Sequence, residues 1–153
     1  MSELLNKSKK ILSLLVIEDS EEDYLTLFRI LRKLGFQYPI YHCIDGDEAL
    51  DFLCHTGEYS NPEKAPRPTL ILIDLNLPGT DGREVIEVIK KNEQIKSIPV
   101  VVFSTSSNPQ DIKVCYEHGV NSYMQKPVNI KNLSKNMEIL LSYWFETVLL
   151  PND

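Results

Sequence analysis

Three short runs of the chain are apolar almost without interruption: Ile11–Ile17, Thr69–Ile73 and Pro99–Phe103, all rich in Val, Ile and Leu. Runs of this length and composition predict strands buried on both faces, as in the middle of a parallel sheet. Tyr38–Ile44 and Asn121–Gln125 mix apolar with polar residues and suit outer strands. Between these runs the apolar residues recur at helical spacing. Tyr24, Leu27, Phe28, Leu31 and Leu34 form one stripe along a helix predicted over Glu21–Leu34. Ser20 serves as its cap, Asp23 stands at the capping-box position, and Gly35 is the stop. Further helices are predicted over Asp47–Cys54, Arg83–Asn92, Gln110–His118 (closed by Gly119) and Asn129–Leu150.

Strand and helix thus alternate, five of each. The alternation predicts an α/β protein: a doubly wound, five-stranded parallel sheet in the flavodoxin-like order 2-1-3-4-5, with helices on both faces. In such sheets function gathers beyond the carboxyl ends of the strands. One connection is long. His55–Pro68 carries Gly57, Pro62, Pro66 and Pro68 and reads as an exposed, partly extended loop. No repeat or shift of composition divides the chain. The expected organisation is an N-terminal tail over residues 1–9, one domain over 10–150 and no output domain.

Composition and charge narrow the classes. A chain of 153 residues, 42% hydrophobic and 25% charged, suits one soluble domain with its own core. A net charge of −6 without a Lys/Arg cluster argues against nucleic acid as a partner. Cys43, Cys54 and Cys115 are widely spaced and form no C-x-x-C pair, so they read as reduced thiols of a cytoplasmic protein. His42, His55 and His118 lack ligand spacing and are expected at strand ends or the surface. Lys9-Lys10 followed by Ile11–Ile17 superficially resembles a signal peptide, but the run ends in Glu18-Asp19 without a small-residue cleavage site. No stretch approaches the roughly 18 apolar residues needed to span a bilayer.

The chemistry lies where the strands end. The first predicted strand ends in Glu18-Asp19 and the third in Asp74. If the two are neighbours, three carboxylates converge, a repulsive arrangement that a hard divalent cation relieves. The fourth strand ends in Ser104 and the fifth in Lys126-Pro127. A hydroxyl and an ammonium therefore reach the same edge. Any one of these residues alone is most simply a solvated charge or a turn residue. Together they supply a carboxylate nucleophile, a metal site, a point charge and a hydroxyl donor, which are the parts of a phosphoryl-transfer site.

The motifs Val16-Ile17-Glu18-Asp19-Ser20, Ile73-Asp74-Leu75-Asn76-Leu77-Pro78-Gly79-Thr80-Asp81-Gly82, Pro99-Val100-Val101-Val102-Phe103-Ser104-Thr105 and Tyr123-Met124-Gln125-Lys126-Pro127 stand in this order. Together they resemble the receiver domains of two-component response regulators over about residues 10–148. The resemblance implies that Asp74 accepts a phosphoryl group from the phosphohistidine of a sensor histidine kinase. It implies Mg²⁺, or alternatively Mn²⁺, bound by Asp19, Asp74 and the backbone carbonyl of Asn76, with Glu18 joining through water. Lys126 is then the partner of one phosphoryl oxygen and Ser104 of another. Tyr123 is the aromatic that reports the movement of Ser104, and Lys126–Pro127 is the site of a cis peptide. Glu18 departs from the family's more frequent Asp, and its longer reach favours the water-mediated contact. The chain is on this reading a phosphoacceptor signalling protein rather than an enzyme.

The long segment Gly57–Pro68, the run Asp81-Gly82-Arg83-Glu84-Val85 and the ending Tyr143-Trp144-Phe145-Glu146-Thr147-Val148-Leu149-Leu150-Pro151 are similar to the small response regulators of cyanobacterial and other bacterial phytochromes. A phytochrome is therefore the expected kinase, and a protein that is not legible the downstream partner. Leu133, Met137, Leu140, Leu141, Trp144 and Val148 suffice to dock the last helix on the sheet. Ile139, Tyr143, Phe145 and Leu149 are surplus, and Tyr143, Phe145 and Leu149 mark an expected homodimer surface. Three other readings stand beside this one. An aspartyl-nucleophile phosphatase or phosphotransferase of haloacid-dehalogenase type places its nucleophile on the first strand, with a second Asp two residues on, whereas Asn76 follows Asp74 here. A flavodoxin needs a phosphate loop where this chain has Glu18–Asp23. A receiver-like scaffold that never accepts phosphate would not need all five chemical positions filled.

Overall fold

The computed structural model describes residues 11–151, so the tail read over residues 1–9 lies outside the described residues. Five parallel strands form one sheet: β1 (Leu14–Ile17), β2 (Ile40–Cys43), β3 (Leu70–Ile73), β4 (Val100–Ser104) and β5 (Ser122–Gln125), in the order β2-β1-β3-β4-β5. Five α-helices alternate with them: α1 (Glu21–Lys33), α2 (Gly46–Cys54), α3 (Gly82–Lys91), α4 (Pro109–Glu117) and α5 (Ile130–Leu141). The doubly wound, flavodoxin-like expectation is met, order included.

The apolar runs explain which strands lie inside. Every residue of β1, β3 and β4 is buried, whereas β2 and β5 at the edges are mostly half-buried. Side chains alternate across the sheet with period two. Leu15, Ile17, Ile71, Ile73, Val100 and Val102 face one layer, where they meet Phe52 and Leu53 of α2, Ile86 and Ile89 of α3, and Cys115 of α4. Leu14, Val16, Leu70, Leu72, Val101 and Phe103 face the other, against Leu27 and Leu31 of α1 and Met137, Leu140 and Leu141 of α5.

Polar residues mark the helix starts. Ser20, Asp45, Asp81, Asn108 and Asn129 each accept a backbone N–H of the first turn. Gly35 and Gly119 follow α1 and α4 with φ of 92° and 99°, the left-handed conformation that closes a helix.

Four expectations need correction. The segment 55–68 is compact rather than extended: it contains a 3₁₀ turn at Gly57–Tyr59, Ala65 is fully buried, and the Tyr59 ring meets Phe52 edge-on at 5.1 Å. The Tyr59 hydroxyl donates to Glu48 at 2.9 Å, and His55 Nε2 lies 2.7 Å from the Ala65 carbonyl. The last helix does not run unbroken to Leu150. It widens into a π-helical turn over Ser142–Thr147, closed by Val148 N–H to the Tyr143 carbonyl at 3.1 Å. The wider turn puts the Phe145 ring against Phe36, with centroids 4.9 Å apart, and against Tyr38. Phe145 is therefore part of the molecule's own packing, and of the expected dimer surface only Tyr143 (51% exposed) and Leu149 (100%) stand free. Finally, Lys126–Pro127 is trans, as is every other peptide bond of the described residues. An X–Pro bond is the one type for which cis and trans lie within about 1 kcal/mol, so the residue pair alone does not select the isomer.

Candidate functional site

Parallel pairing in register sets the site. Ile17 of β1 stands beside Ile73 of β3, so the next residues, Glu18 and Asp74, emerge together. Asp74 N–H donates to the Ile17 carbonyl at 3.0 Å, and Lys126 N–H to the Ser104 carbonyl at 2.7 Å. Ile73 of β3 also pairs with Val102 of β4, so the ends of β1, β3, β4 and β5 are locked to one another before any side chain is considered.

Glu18, Asp19 and Asp74 each offer a carboxylate oxygen, all within 4.8 Å of one another. Glu18 and Asp74 are buried (5% and 8% exposed), while Asp19 faces solvent. The Lys126 ammonium lies among them. It pairs with Glu18, with Asp74 Oδ2 at 2.8 Å, and with Asp23 of α1 at 3.4 Å. Burial pulls the Lys126 ammonium down, but the carboxylates of Asp74 and Glu18 more than offset this and hold it above the usual lysine value. Burial pushes the Glu18 carboxyl up to about 7, with Lys126 opposing the shift. One cation thus faces more acid than it can neutralise. Two buried and one exposed carboxylate, all hard oxygen donors with open water on one side, fit a divalent ion of the Mg²⁺ class.

The other expected residues lie around this centre. Asn76 N–H donates to Asp74 Oδ1 at 3.2 Å, and the Asn76 side chain is exposed. Ser104 is fully buried at the end of β4, and its hydroxyl oxygen accepts Ser106 N–H at 3.3 Å. Tyr123, half-buried on β5, donates its hydroxyl to the Ser106 carbonyl at 2.9 Å. Burial pushes its phenol above the ordinary value. Backbone approach also shapes the site. A side chain at Gly82 would lie 2.5 Å from the Asp74 carbonyl and 2.6 Å from Leu75 Cα, so only glycine lets α3 start this close.

Several participants were not legible in the sequence. Asp23 stands at the capping-box position, yet Ser20 N–H donates to Glu18 Oε2 at 3.2 Å and Asp23 turns to Lys126 instead. Its place in the acidic run Glu18–Asp23 was the available signal. His42 of β2 stands at the edge of the site, with Nε2 2.7 Å from the Glu18 carbonyl and its ring stacked on Tyr24 at 3.7 Å. His42 thus lies one residue before the end of β2, close to the strand-end position expected of it. Arg83 and Asp111 join their helices by an ion pair of 2.8 Å, and no spacing in the sequence points to it.

The sequence profile of the response regulator receiver domain matches residues 14–138. The chain belongs to that family. Response regulator Rcp1 of Synechocystis sp. is 44% identical over 138 residues, which span 90% of this chain and 92% of the relative. The crystal structure of the Mn²⁺-bound form of Rcp1 superposes with a TM-score of 0.83 over 91% of this chain and 98% of that one. The phosphorylated cyanobacterial phytochrome response regulator RcpA is 38% identical with a TM-score of 0.86, covering 93% and 99%. The receiver is thus similar to regulators linked to phytochromes, and one of these similar structures holds a divalent cation. Among the described residues no helix is long and apolar enough to cross a membrane.

Proposed function

We propose that Asp74 is the phosphoacceptor of a response regulator served by a sensor histidine kinase of the phytochrome type, in a Mg²⁺-dependent reaction. The observation that carries this reading is the single Lys126 ammonium shared by Glu18 and Asp74 at adjacent strand ends, with Asp19 alongside. A buried acid cluster with one cation is unfavourable as a structural device, and it suits a site that gains a metal ion and a phosphoryl group. Asp19, Asp74 and the Asn76 carbonyl would hold the ion directly, with Glu18 joining through water. The ion would neutralise charge building on the phosphoryl oxygens.

The chain's own residues do the rest. An Asp74 oxygen attacks phosphorus as the P–N bond of the phosphohistidine breaks, and the imidazole leaves with a proton. The product is an acyl phosphate. Lys126 exchanges its contact with Asp74 for one with a phosphoryl oxygen. Ser104 turns its hydroxyl toward another, and Tyr123 follows. Hydrolysis returns inorganic phosphate and the free carboxylate, so the protein acts as a switch. The state it sets is read through protein contacts in the cytoplasm.

A second copy of the chain is the expected partner at the C-terminal face. Ile139, Tyr143 and Trp144 flank a hollow of about 480 Å³ with Asn121, Ser122 and Met124. Sedimentation at high micromolar concentration tests this: a homodimer is expected, and a monomer with or without phosphorylation overturns it. For the site itself the experiment is incubation with acetyl phosphate and Mg²⁺, comparing wild type with Asp74→Asn. Labelling of wild type alone, abolished by chelation, is expected. Equal labelling of both proteins overturns the assignment.

A further inference from the structure

In the loop between β4 and α4 the Thr105 carbonyl accepts Gln125 Nε2 at 3.2 Å, and the remaining contacts converge on Ser106. Its N–H donates to the Ser104 hydroxyl oxygen at 3.3 Å, its carbonyl accepts the Tyr123 hydroxyl at 2.9 Å, and its own hydroxyl donates to Asp111 Oδ2 at 2.7 Å. Asn108 N–H donates to the Ser106 hydroxyl oxygen at 3.2 Å. The backbone of Ser106 therefore touches both groups proposed to move, and its side chain is tied to the first turn of α4.

Asp111 is itself fixed from another helix. Its Oδ1 accepts Arg83 Nε at 3.2 Å and Nη2 at 2.8 Å, a two-pronged contact. Arg83 Nη1 lies 3.1 Å from both oxygens of Asp81, the residue that caps α3. The start of α3 is in turn pressed against the Asp74 carbonyl and Leu75 by the absence of a side chain at Gly82. One continuous path thus runs from the backbone of Asp74 through Gly82, Arg83, Asp111 and Ser106 to Ser104 and Tyr123.

We infer that Asp111, clamped by Arg83, is a positioning residue that holds Ser106 in the arrangement with Tyr123 tied inward and Ser104 at the site. The reason lies in the number of restraints rather than their strength. Arg83 and Asp111 are partly exposed (29% and 23%), so their ion pair adds little to global stability. Two guanidinium N–H groups converging on Oδ1, however, hold one end of the carboxylate and leave Oδ2 for the Ser106 hydroxyl, so Asp111 is held from both ends. With Asp111 so oriented, the Ser106 hydroxyl has one good acceptor and its carbonyl points where the Tyr123 hydroxyl finds it. Without it, the loop gains conformations in which Tyr123 loses that acceptor. The inference rests on Asp74 as the phosphoacceptor and on the Ser106 contacts to Ser104 and Tyr123 belonging to the arrangement that a phosphoryl group stabilises, populated already without it.

Beryllium fluoride with Mg²⁺ provides the test, since it mimics the phosphoryl group on an aspartate without a covalent step. Binding is followed by fluorine NMR for wild type, Asp74→Asn, Asp111→Asn, Arg83→Lys, Tyr123→Phe and the Asp111→Asn/Tyr123→Phe double variant. Loosening a two-state element shifts apparent affinity by the fraction of molecules left competent, so Asp111→Asn and Arg83→Lys are each expected to bind roughly threefold to tenfold more weakly. Because Asp111 acts through the Ser106–Tyr123 bond, the double variant should be no weaker than the worse single one. Wild-type affinity in both Asp111→Asn and Arg83→Lys overturns the positioning role, as does full additivity in the double variant. Binding of the probe by Asp74→Asn as well as by wild type is a different failure, and it removes the site reading together with this one.

Discussion

At the amino end of the sheet, Ser13 and Thr69 are buried and neutral, and each meets the other's backbone. Thr69 N–H donates to the Ser13 carbonyl at 2.9 Å, and Ser13 N–H to the Thr69 hydroxyl oxygen at 2.9 Å. At the carboxyl end Glu18, Asp74 and Ser104 are buried to a similar degree, but two of them are acids sharing one lysine. Both ends face the same problem, which is how to close a sheet whose strands stop at the edge of the core. The amino end pairs its backbone groups and leaves a neutral hydroxyl, Ser13 Oγ, without a partner, a smaller cost than an uncompensated buried charge. The carboxyl end keeps a charged cluster that is costly to desolvate and only partly compensated. The contrast separates a structural edge from one left ready for a ligand.

The largest effect is expected from removing the shared cation. Lys126→Met leaves Glu18 and Asp74 facing each other, which should destabilise the metal-free protein by about 3–5 kcal/mol in urea unfolding. Acetyl phosphate labelling of the same variant should fall by roughly 100- to 1000-fold. Thr69→Val at the other end strands the buried Ser13 N–H. It should cost about 1–3 kcal/mol and leave labelling unchanged. A labelling defect in Thr69→Val would show that the two ends are coupled after all. The ends should also answer differently to metal. Mg²⁺ at about 100 times its dissociation constant should raise stability by about 2.7 kcal/mol in wild type, measured as a shift of the urea midpoint. It should do so equally in Thr69→Val and much less in Asp74→Asn.

The smallest effect concerns pH. Hydrogen bonds from Ser106 and Arg83 hold the Asp111 carboxyl below its ordinary value of 3.8. A carboxyl depressed in the folded state stabilises the fold above its unfolded value, and that contribution is lost as pH falls through the folded one. The Ser106 and Tyr123 amide signals should therefore be steady from pH 7 down to the ordinary carboxylate value and move only below it, with Asp111→Asn abolishing this acid step. A transition centred above pH 5 would place its origin in another group.

Much of this could be read from residue order because local rules govern it. Buried strands announce themselves as continuous Val, Ile and Leu runs, and Ser20, Gly35 and Gly119 mark helix ends through contacts within a few residues. The site was legible for the same reason: Glu18, Asp74, Ser104 and Lys126 each sit at or just beyond the end of an apolar run, and strand order does the rest. The failures share a cause as well. Phe145 meets Phe36 and Tyr38, partners more than a hundred residues away in the chain, and the π-helical turn that delivers it has no local signature. The segment 55–68 looked like a proline-rich excursion. Its Tyr59 is nevertheless drawn in by Phe52 and Glu48 of α2, and Ala65 is fully buried with His55 on its carbonyl.

By itself the sequence determined the five βα units, their layering and the identity of the residues carried to the carboxyl edge. Each of these depends on periodicity and on the few residues next to a strand or helix end. Only the tertiary structure decided how charge is shared there. Lys126 binding Glu18, Asp74 and Asp23, the His42 contact to the Glu18 carbonyl, and the Arg83–Asp111–Ser106 path all join residues from different elements. Such contacts arise from the register of neighbouring strands and the docking of helices, through distances of a few ångström that residue order does not encode locally.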